Sequence, residues 1–472
     1  MTPRPPLQTP LPVWARLCDI LVIALLLLAV TAATTGGFRV DIPFGRLSVT
    51  TWLRPFGLAV ILAALRHAIV RRPHLAARLW HGGLALRHHA EVRAVWPVLA
   101  VTRVGVLVIG LLAISAIGYP NGRTPWRVSE TEIGNLPARF DAGWYLGIAA
   151  GGYQFTPNRY DRQQNLVFFP AYPLLMRYAS LLVARQTLWA GVFISWAAFG
   201  WALVYLFRLA RDQMDEERAA AAALFMATYP FAVFYSAPYT EGLFLLAMLG
   251  AWFHFRRDEW LTASLWGLLA GLTRPNGCLL SVPLAVMAVL PLVRGGRLQR
   301  PVDGWTPVVT RLLVAGMPGF GMLLYSAWVY GFTGHPFEWI KLQQAWGRGN
   351  VGLVGFLAGE VDSVADQGAY SYAFTHVPDF MNILGVTLVA ASLWGVFRRF
   401  GLAPALVLIL NLVPSLASGG WLSTGRATAV LFPTFLWLAA VVPASHRGAW
   451  AAAFAGLQAF AAVLFFTWRL MF

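Results

Sequence analysis

The chain has 472 residues, of which 58% are hydrophobic and only 12% charged, and its formal net charge is +16. Soluble domains carry about a quarter charged residues, so a string of soluble domains is excluded, and a mean hydropathy of +0.61 points to lipid as the solvent. The positive charge does not indicate a nucleic-acid partner: it is dispersed in short arginine clusters between apolar runs, with no contiguous basic face.

The first apolar run, LVIALLLLAV (21–30), lies in a helix expected over 14–35. The segment MTPRPPLQTPLPVWAR and its apolar run lack a small-residue cleavage site, so this helix is read as retained and not as a removed signal peptide. Further apolar windows follow at 52–70, 95–117, 187–207, 219–236, 240–255, 261–273, 277–293, 311–331, 380–397, 402–417, 427–443 and 449–468. Together they predict an all-α polytopic membrane protein with about 13 spans. The stretch 261–293 is broken at RPNG (274–277) and reads as two short spans or a re-entrant pair.

With a cytoplasmic N-terminus, RRPHLAAR (71–78), RRDE (256–259), RGGRLQR (294–300), RRF (398–400) and SHRG (445–448) all fall inside, as the positive-inside rule requires. So does RLARDQMDEER (208–218). Two long loops, 118–186 and 332–379, then face outside and exceed the usual connection length, which marks them as functional. Helical periodicity over 140–150 and 336–347, with aromatics on one side, predicts helices lying in the interface. Residues 1–93 read as a transmembrane hairpin with a basic connector, and 94–472 as the main core. Cys18 and Cys278 both fall in apolar segments, which excludes a disulfide framework or zinc site. Lys341 is the sole lysine, and with abundant alanine this suggests a G+C-rich, bacterial source.

The polar residues that could carry chemistry gather in a few strings. PARFDAGWYLGIAAGGY (137–153) holds Arg139, Asp141 and, one turn on, Tyr145; Asp141 is either a helix cap or a base. In YSAPYTEGLFLL (235–246), Glu241 enters an apolar helix, as an exposed cap or as an inward functional carboxylate. Arg274 in LTRPNG stands between two apolar halves, where a guanidinium must snorkel or find an anion such as phosphate. GHPFEWIKLQQAWGR (334–348) brings His335, Glu338, Lys341, Gln343 and Gln344 onto one amphipathic stretch, and TGRATAVLFPTFLW (424–437) puts Arg426 at the start of a helix. Glu360, Asp362 and Asp366 read as a solvated acidic loop.

In order and spacing, FDAGWYLGIAAGGY, NLVFFPAYPLLMR, PYTEGLFLL, LLAGLTRPNG, PFEWIKLQQAWGR and GRATAVLFP resemble the bacterial branch of the PIG-V family, membrane mannosyltransferases of the GT-C class. The resemblance runs from about 139 to 437. It implies a GT-C fold and a polyprenyl-phosphate-linked sugar donor, usually mannose, used on the outer face of the plasma membrane without a nucleotide. It also implies that the aspartate of the first large outer loop, here Asp141, is essential, although this chain has Phe140-Asp141 where the family commonly has Trp-Asp.

On that basis Asp141 is the expected base of a single inverting displacement. Arg426, then Arg274, with Lys341 or His335 as helpers, are expected to hold the donor phosphate. Arg139, Tyr145, Glu241, Glu338, Gln343 and Gln344 are the expected substrate contacts. No cofactor or metal is expected, because there is no nucleotide diphosphate to neutralise. The expected partners are the lipid-linked donor, membrane lipids and a lipid, glycan or protein acceptor. Two rivals stand beside this reading: the same chemistry with arabinose, glucose or galactose, and a lipid or sugar transporter, which would want its polar residues in broken helices near mid-membrane.

Overall fold

The computed structural model describes residues 12–42, 45–70, 75, 89–122, 125–294, 297–298, 304–349 and 352–470. Most of the RRPHLAAR cluster and part of RGGRLQR lie outside the described residues. The described chain divides into two compact units, one comprising residues 1–90 and 177–190, the other 91–176 and 191–472.

In the first unit, helices Val13–Thr35 and Leu53–Ile69 flank an antiparallel ribbon that pairs Phe38–Ile42 with Gly45–Val49. The two helices are joined by a buried ion pair, with Arg66 Nε 2.9 Å from Asp19 Oδ1. The ribbon, and a second one pairing Val293–Arg294 with Arg297–Leu298, depart from an all-helical chain. Both occupy connections between helices.

The second unit is helical and carries the polar site. All thirteen apolar windows of the chain fold into helices, but the expected span count is not reproduced. Among the described residues seven helices are long and apolar enough to cross a membrane, or eight if the bent pair Glu216–Thr228 and Pro230–Ser236 is one span. The difference lies in length: Glu241–Phe255, Trp260–Thr273 and Phe432–Val441 are helices of 15, 14 and 10 residues, and Leu53–Ile69 and Leu402–Ser418 also fall short of the roughly 20 needed to span. The RPNG break separates two helical segments. Trp260–Thr273 ends at Arg274, and the chain continues as the apolar segment Pro275–Leu292.

The bent pair turns by 77° at Tyr229-Pro230, because Pro230 has no N–H to continue the ladder. Carbonyls freed by such a break are costly in an apolar interior, and buried side chains from two other helices meet them. Arg103, on Ala90–Ile117, donates to the carbonyls of Ala227 and Ala232 and to Ser236 Oγ. Gln458, on Ala444–Phe466, donates to the carbonyls of Ala227 (3.0 Å) and Tyr229 (2.8 Å). Arg103→Met is therefore expected to lose about 2–4 kcal/mol of stability through unpaired carbonyls, read as a lowered thermal midpoint in detergent.

Helix Thr306–Thr333 packs closely on Trp260–Thr273 at glycines. A Cβ at Gly271 would stand 1.9 Å from the Pro318 carbonyl oxygen, and one at Gly321 2.4 Å from that of Leu268. Small residues allow this backbone approach between apolar helices. Ion pairs Arg257–Asp212, Arg311–Asp258 and Arg447–Glu217 gather beyond the Phe255 end of Glu241–Phe255. Glu241 opens that helix and is about 22 Å away at the opposite end.

Candidate active site

Asp141 is held at a strained corner. Phe140 has φ +44°, a left-handed conformation that costs an aromatic residue about 1–3 kcal/mol. The ring of Phe140 is boxed by Phe465 and Trp468, at 5.7 and 4.8 Å between centroids. Tyr239 clamps the same corner: its hydroxyl donates to the Arg139 carbonyl and accepts from the Asp141 N–H, each at 3.1 Å. The helix Ala142–Gly151 starts there, and Asp141 occupies its N-cap position without a side-chain capping bond. The carboxylate instead accepts from Arg426 Nη1.

Arg426 sits on the short helix Thr424–Thr428, preceded by Ser423 at φ +59°. That turn is pinned by Asn382 Oδ1, which accepts from the Gly425 N–H at 2.7 Å, and by Tyr229 with Thr428, whose hydroxyls are 2.7 Å apart. Side chains longer than hydrogen are excluded at Gly425, where a Cβ would stand 2.0 Å from Phe231. The guanidinium of Arg426 lies over the rings of Tyr239 and Phe234, 4.6 and 5.3 Å from their centroids, an arrangement favoured by the ring quadrupole.

Glu241 joins the two arginines. Its Oε1 accepts from Arg426 Nε and, at 2.5 Å, from Arg274 Nη1. Among the described residues Oε2 is buried without a hydrogen-bond partner. The carboxylate opens helix Glu241–Phe255, where the helix dipole favours negative charge. Its approach is fixed by Gly242, whose Cβ position is 2.8 Å from the Ser195 carbonyl oxygen, and by Ser195 Oγ, which donates to the Tyr239 carbonyl at 3.2 Å.

Four residues from four separate strings thus form one network: Asp141, Arg426, Glu241 and Arg274. Glu241 and Arg426 are 0% and 7% exposed, and the Asp141 and Arg274 side chains 18% and 19%, so one carboxylate and one guanidinium of the network are open to an incoming molecule. Tyr145 borders the network, its hydroxyl 3.3 Å from Thr240 Oγ1. Burial pushes Tyr145 up to about 12, which keeps it a neutral hydroxyl at any working pH.

Other expected site residues have different surroundings. Arg139 is fully buried and spends its guanidinium on the carbonyls of Phe466, Asn135 and Ala138, closing the C-terminus of Ala444–Phe466. It is a brace, with no donor turned to the cluster. Glu338 receives the Tyr160 hydroxyl at 2.6 Å and lies 3.3 Å from Lys341, linking the two long loops. Trp346 strengthens that link, packing 5.1 Å from Trp144 and 5.2 Å from Phe168. His335 is exposed, Gln344 exposed and Gln343 half-buried; none of the three bonds to the cluster. The acidic stretch expected as loop is helical, within Leu353–Gln367, and Glu360 accepts from the Tyr372 hydroxyl at 2.6 Å.

Two residues that sequence reasoning passed over belong here. Tyr239 lies two positions before Glu241 in PYTEG and had its signal in that motif. Arg348 follows Gly347, which has φ +74°, and its electrostatic neighbours are Arg274, Arg426 and Asp141. Tyr239→Phe is expected to leave the fold intact and to slow turnover roughly 3- to 10-fold, the loss of about one net hydrogen bond at the Phe140-Asp141 corner; the turnover rate and thermal midpoint read this together.

Residues 127–291 match the family described as Mannosyltransferase (PIG-V). Among curated proteins no match is found. Solved structures similar to the chain include the oligosaccharyltransferase of Archaeoglobus fulgidus tethered with an acceptor peptide, at 15% identity and TM-score 0.36 over 78% of this chain and 54% of that one. They also include the same organism's oligosaccharyltransferase AglB in complex with an inhibitory peptide and a dolichol-phosphate, at 14% identity and TM-score 0.36 over 77% and 55%. This chain spans little more than half the length of those proteins, and at such scores the likeness carries no argument about substrate or residues. The matched segment contains Asp141, Glu241 and Arg274, and over residues 127–291 this polytopic α-helical chain is similar to the PIG-V mannosyltransferases.

Proposed function

We propose that the chain moves a sugar, mannose in the first instance, from a polyprenyl-phosphate donor to a hydroxyl of a lipid, glycan or protein acceptor on the non-cytoplasmic side of the membrane. The observation that supports this most is the convergence of Asp141 and Glu241 with Arg274 and Arg426, the outer pair 285 residues apart in sequence. A reaction that develops negative charge on a leaving phosphate needs fixed cations, and one that deprotonates an alcohol needs a positioned base. The network supplies both within one cluster.

Asp141 accepts the proton of the acceptor hydroxyl as that oxygen forms a bond to the anomeric carbon. The bond from that carbon to the phosphate oxygen breaks on the opposite side, and its electron pair stays on the phosphate. Arg426 and Arg274 receive the growing charge there. Arg426 holds Asp141, so donor phosphate exchanges with the aspartate on that guanidinium and frees it to act as base. Glu241 keeps both arginines oriented through the exchange.

The test is transfer by purified protein in nanodiscs, supplied with a membrane lipid extract and, in separate reactions, polyprenyl-phosphate mannose, arabinose, glucose or galactose. Incorporation of mannose above the others is the expected result. Incorporation of another sugar alone would move the proposal to that donor, and transport of the donor across the bilayer with no transfer would replace the enzyme by a transporter.

A further inference from the structure

The charges around Asp141 do not balance. Arg274, Arg348 and Arg426 stand against two carboxylates, Asp141 and Glu241. Arg426 and Arg274 are taken up by those carboxylates. Arg348 is half-buried, and among the described residues no carboxylate or carbonyl meets its guanidinium. Its place is nonetheless built. Trp346, two residues earlier, is wedged against Trp144 and Phe168. Gly347 then turns in the left-handed region, and the Arg348 N–H returns to the Gln343 carbonyl at 3.3 Å. A guanidinium withdrawn from water beside two others is unfavourable unless an anion joins it, and burial with those two neighbours holds its pKa below the usual arginine value.

We infer that Arg348 is the donor-phosphate ligand contributed by the second long loop, and that it sets the site to one excess positive charge, matched to a single phosphodiester. This rests on the function proposed above and assigns a residue and a selectivity within it. A sugar phosphodiester carries one negative charge, so donor and site are neutral together. During transfer the acceptor proton neutralises Asp141, and the site gains one positive charge. In the same step the leaving phosphate, now a monoester, gains one negative charge. Donor and site stay balanced from start to finish without a metal ion. A diphosphate-linked sugar would bring surplus negative charge that these residues do not meet. Arginine suits the task because its planar fork can bind two phosphate oxygens at once.

The experiment compares wild type, Arg348→Gln, Arg348→Lys and Asp141→Asn in nanodiscs. It measures binding of a short-chain isoprenyl phosphomannose and of the corresponding isoprenyl phosphate, with thermal midpoints as the folding control. Arg348→Gln is expected to weaken phosphomannose binding about 10- to 100-fold, the scale of one charge-assisted hydrogen-bond pair, and Arg348→Lys to recover much of it. Asp141→Asn, which mimics the charge of the protonated base, is expected to bind isoprenyl phosphate about 10-fold more tightly than wild type. That gain reads the charge of the whole site, and Arg348→Lys carries the test of Arg348 itself should Arg348→Gln fail to fold. Wild-type transfer together with unchanged binding in a folded Arg348→Gln would overturn this inference alone, as would unchanged product binding in Asp141→Asn. A wild type that neither binds nor transfers would overturn the functional reading and this inference with it.

Discussion

Asp141→Asn is expected to lower sugar transfer by about 10²–10⁴-fold, the range a positioned base contributes, while the protein keeps its fold and binds donor at least as tightly as wild type. The substitution is close to isosteric, and Asp141 makes no capping bond whose loss would unravel helix Ala142–Gly151. The corner before it is held by Phe140 in its aromatic box and by the Tyr239 hydroxyl on backbone groups, none of which the change touches. Arg426 retains Glu241 as a partner, so no buried charge is stranded. The loss falls on the chemical step, read as reduced single-turnover rate at saturating donor. A variant with full activity would remove Asp141 from the chemistry and send the search for a base to Glu241.

Glu241→Ala is expected to act in the opposite manner, on the fold first. Glu241 is fully buried and is the common partner of Arg274 and Arg426. Removing it leaves two guanidinium groups, with Arg348 near both, facing one another over a single remaining carboxylate. Breaking a buried pair from one side costs about 3–5 kcal/mol, because the partner's charge is left uncompensated. The expected outcome is a thermal midpoint lowered by many degrees or failure to purify in detergent. Glu241→Gln keeps the shape and one acceptor oxygen and is expected to fall between. Wild-type stability in Glu241→Ala would mean that the cluster is solvated and that its charges need no internal partner.

The helices were legible from their apolar windows, but the number that cross the membrane was not. Composition registers Glu241–Phe255 or Trp260–Thr273 as apolar, and nothing local says whether so short a helix spans or stops inside the bundle. The window 219–236 reads as one run, and the 77° turn at Pro230 depends on Arg103 and Gln458 from distant helices meeting the freed carbonyls. Neither side chain advertises that use, since a lone arginine in an apolar helix has several possible partners.

In the site, Asp141, Glu241, Arg274 and Arg426 stood out singly as charges beside apolar segments. Their meeting could not be read from strings separated by up to 285 positions. Arg139, adjacent to the same motif, looked equivalent in sequence, and only the position of the Phe466 carbonyl shows where its guanidinium is spent. Arg348 was hidden for the converse reason. It ends AWGR as an ordinary surface arginine would, and its relation to Asp141 arises from the packing of Trp346 on Trp144 and Phe168.

The most direct measurement is the anomeric configuration of the product formed from a polyprenyl-phosphate sugar of known anomer, determined by NMR on the isolated glycoside. A single displacement with Asp141 as base yields the anomer opposite to that of the donor. Retention of the donor's configuration would contradict the account, because a single attack from the side opposite the leaving phosphate must invert the anomeric carbon.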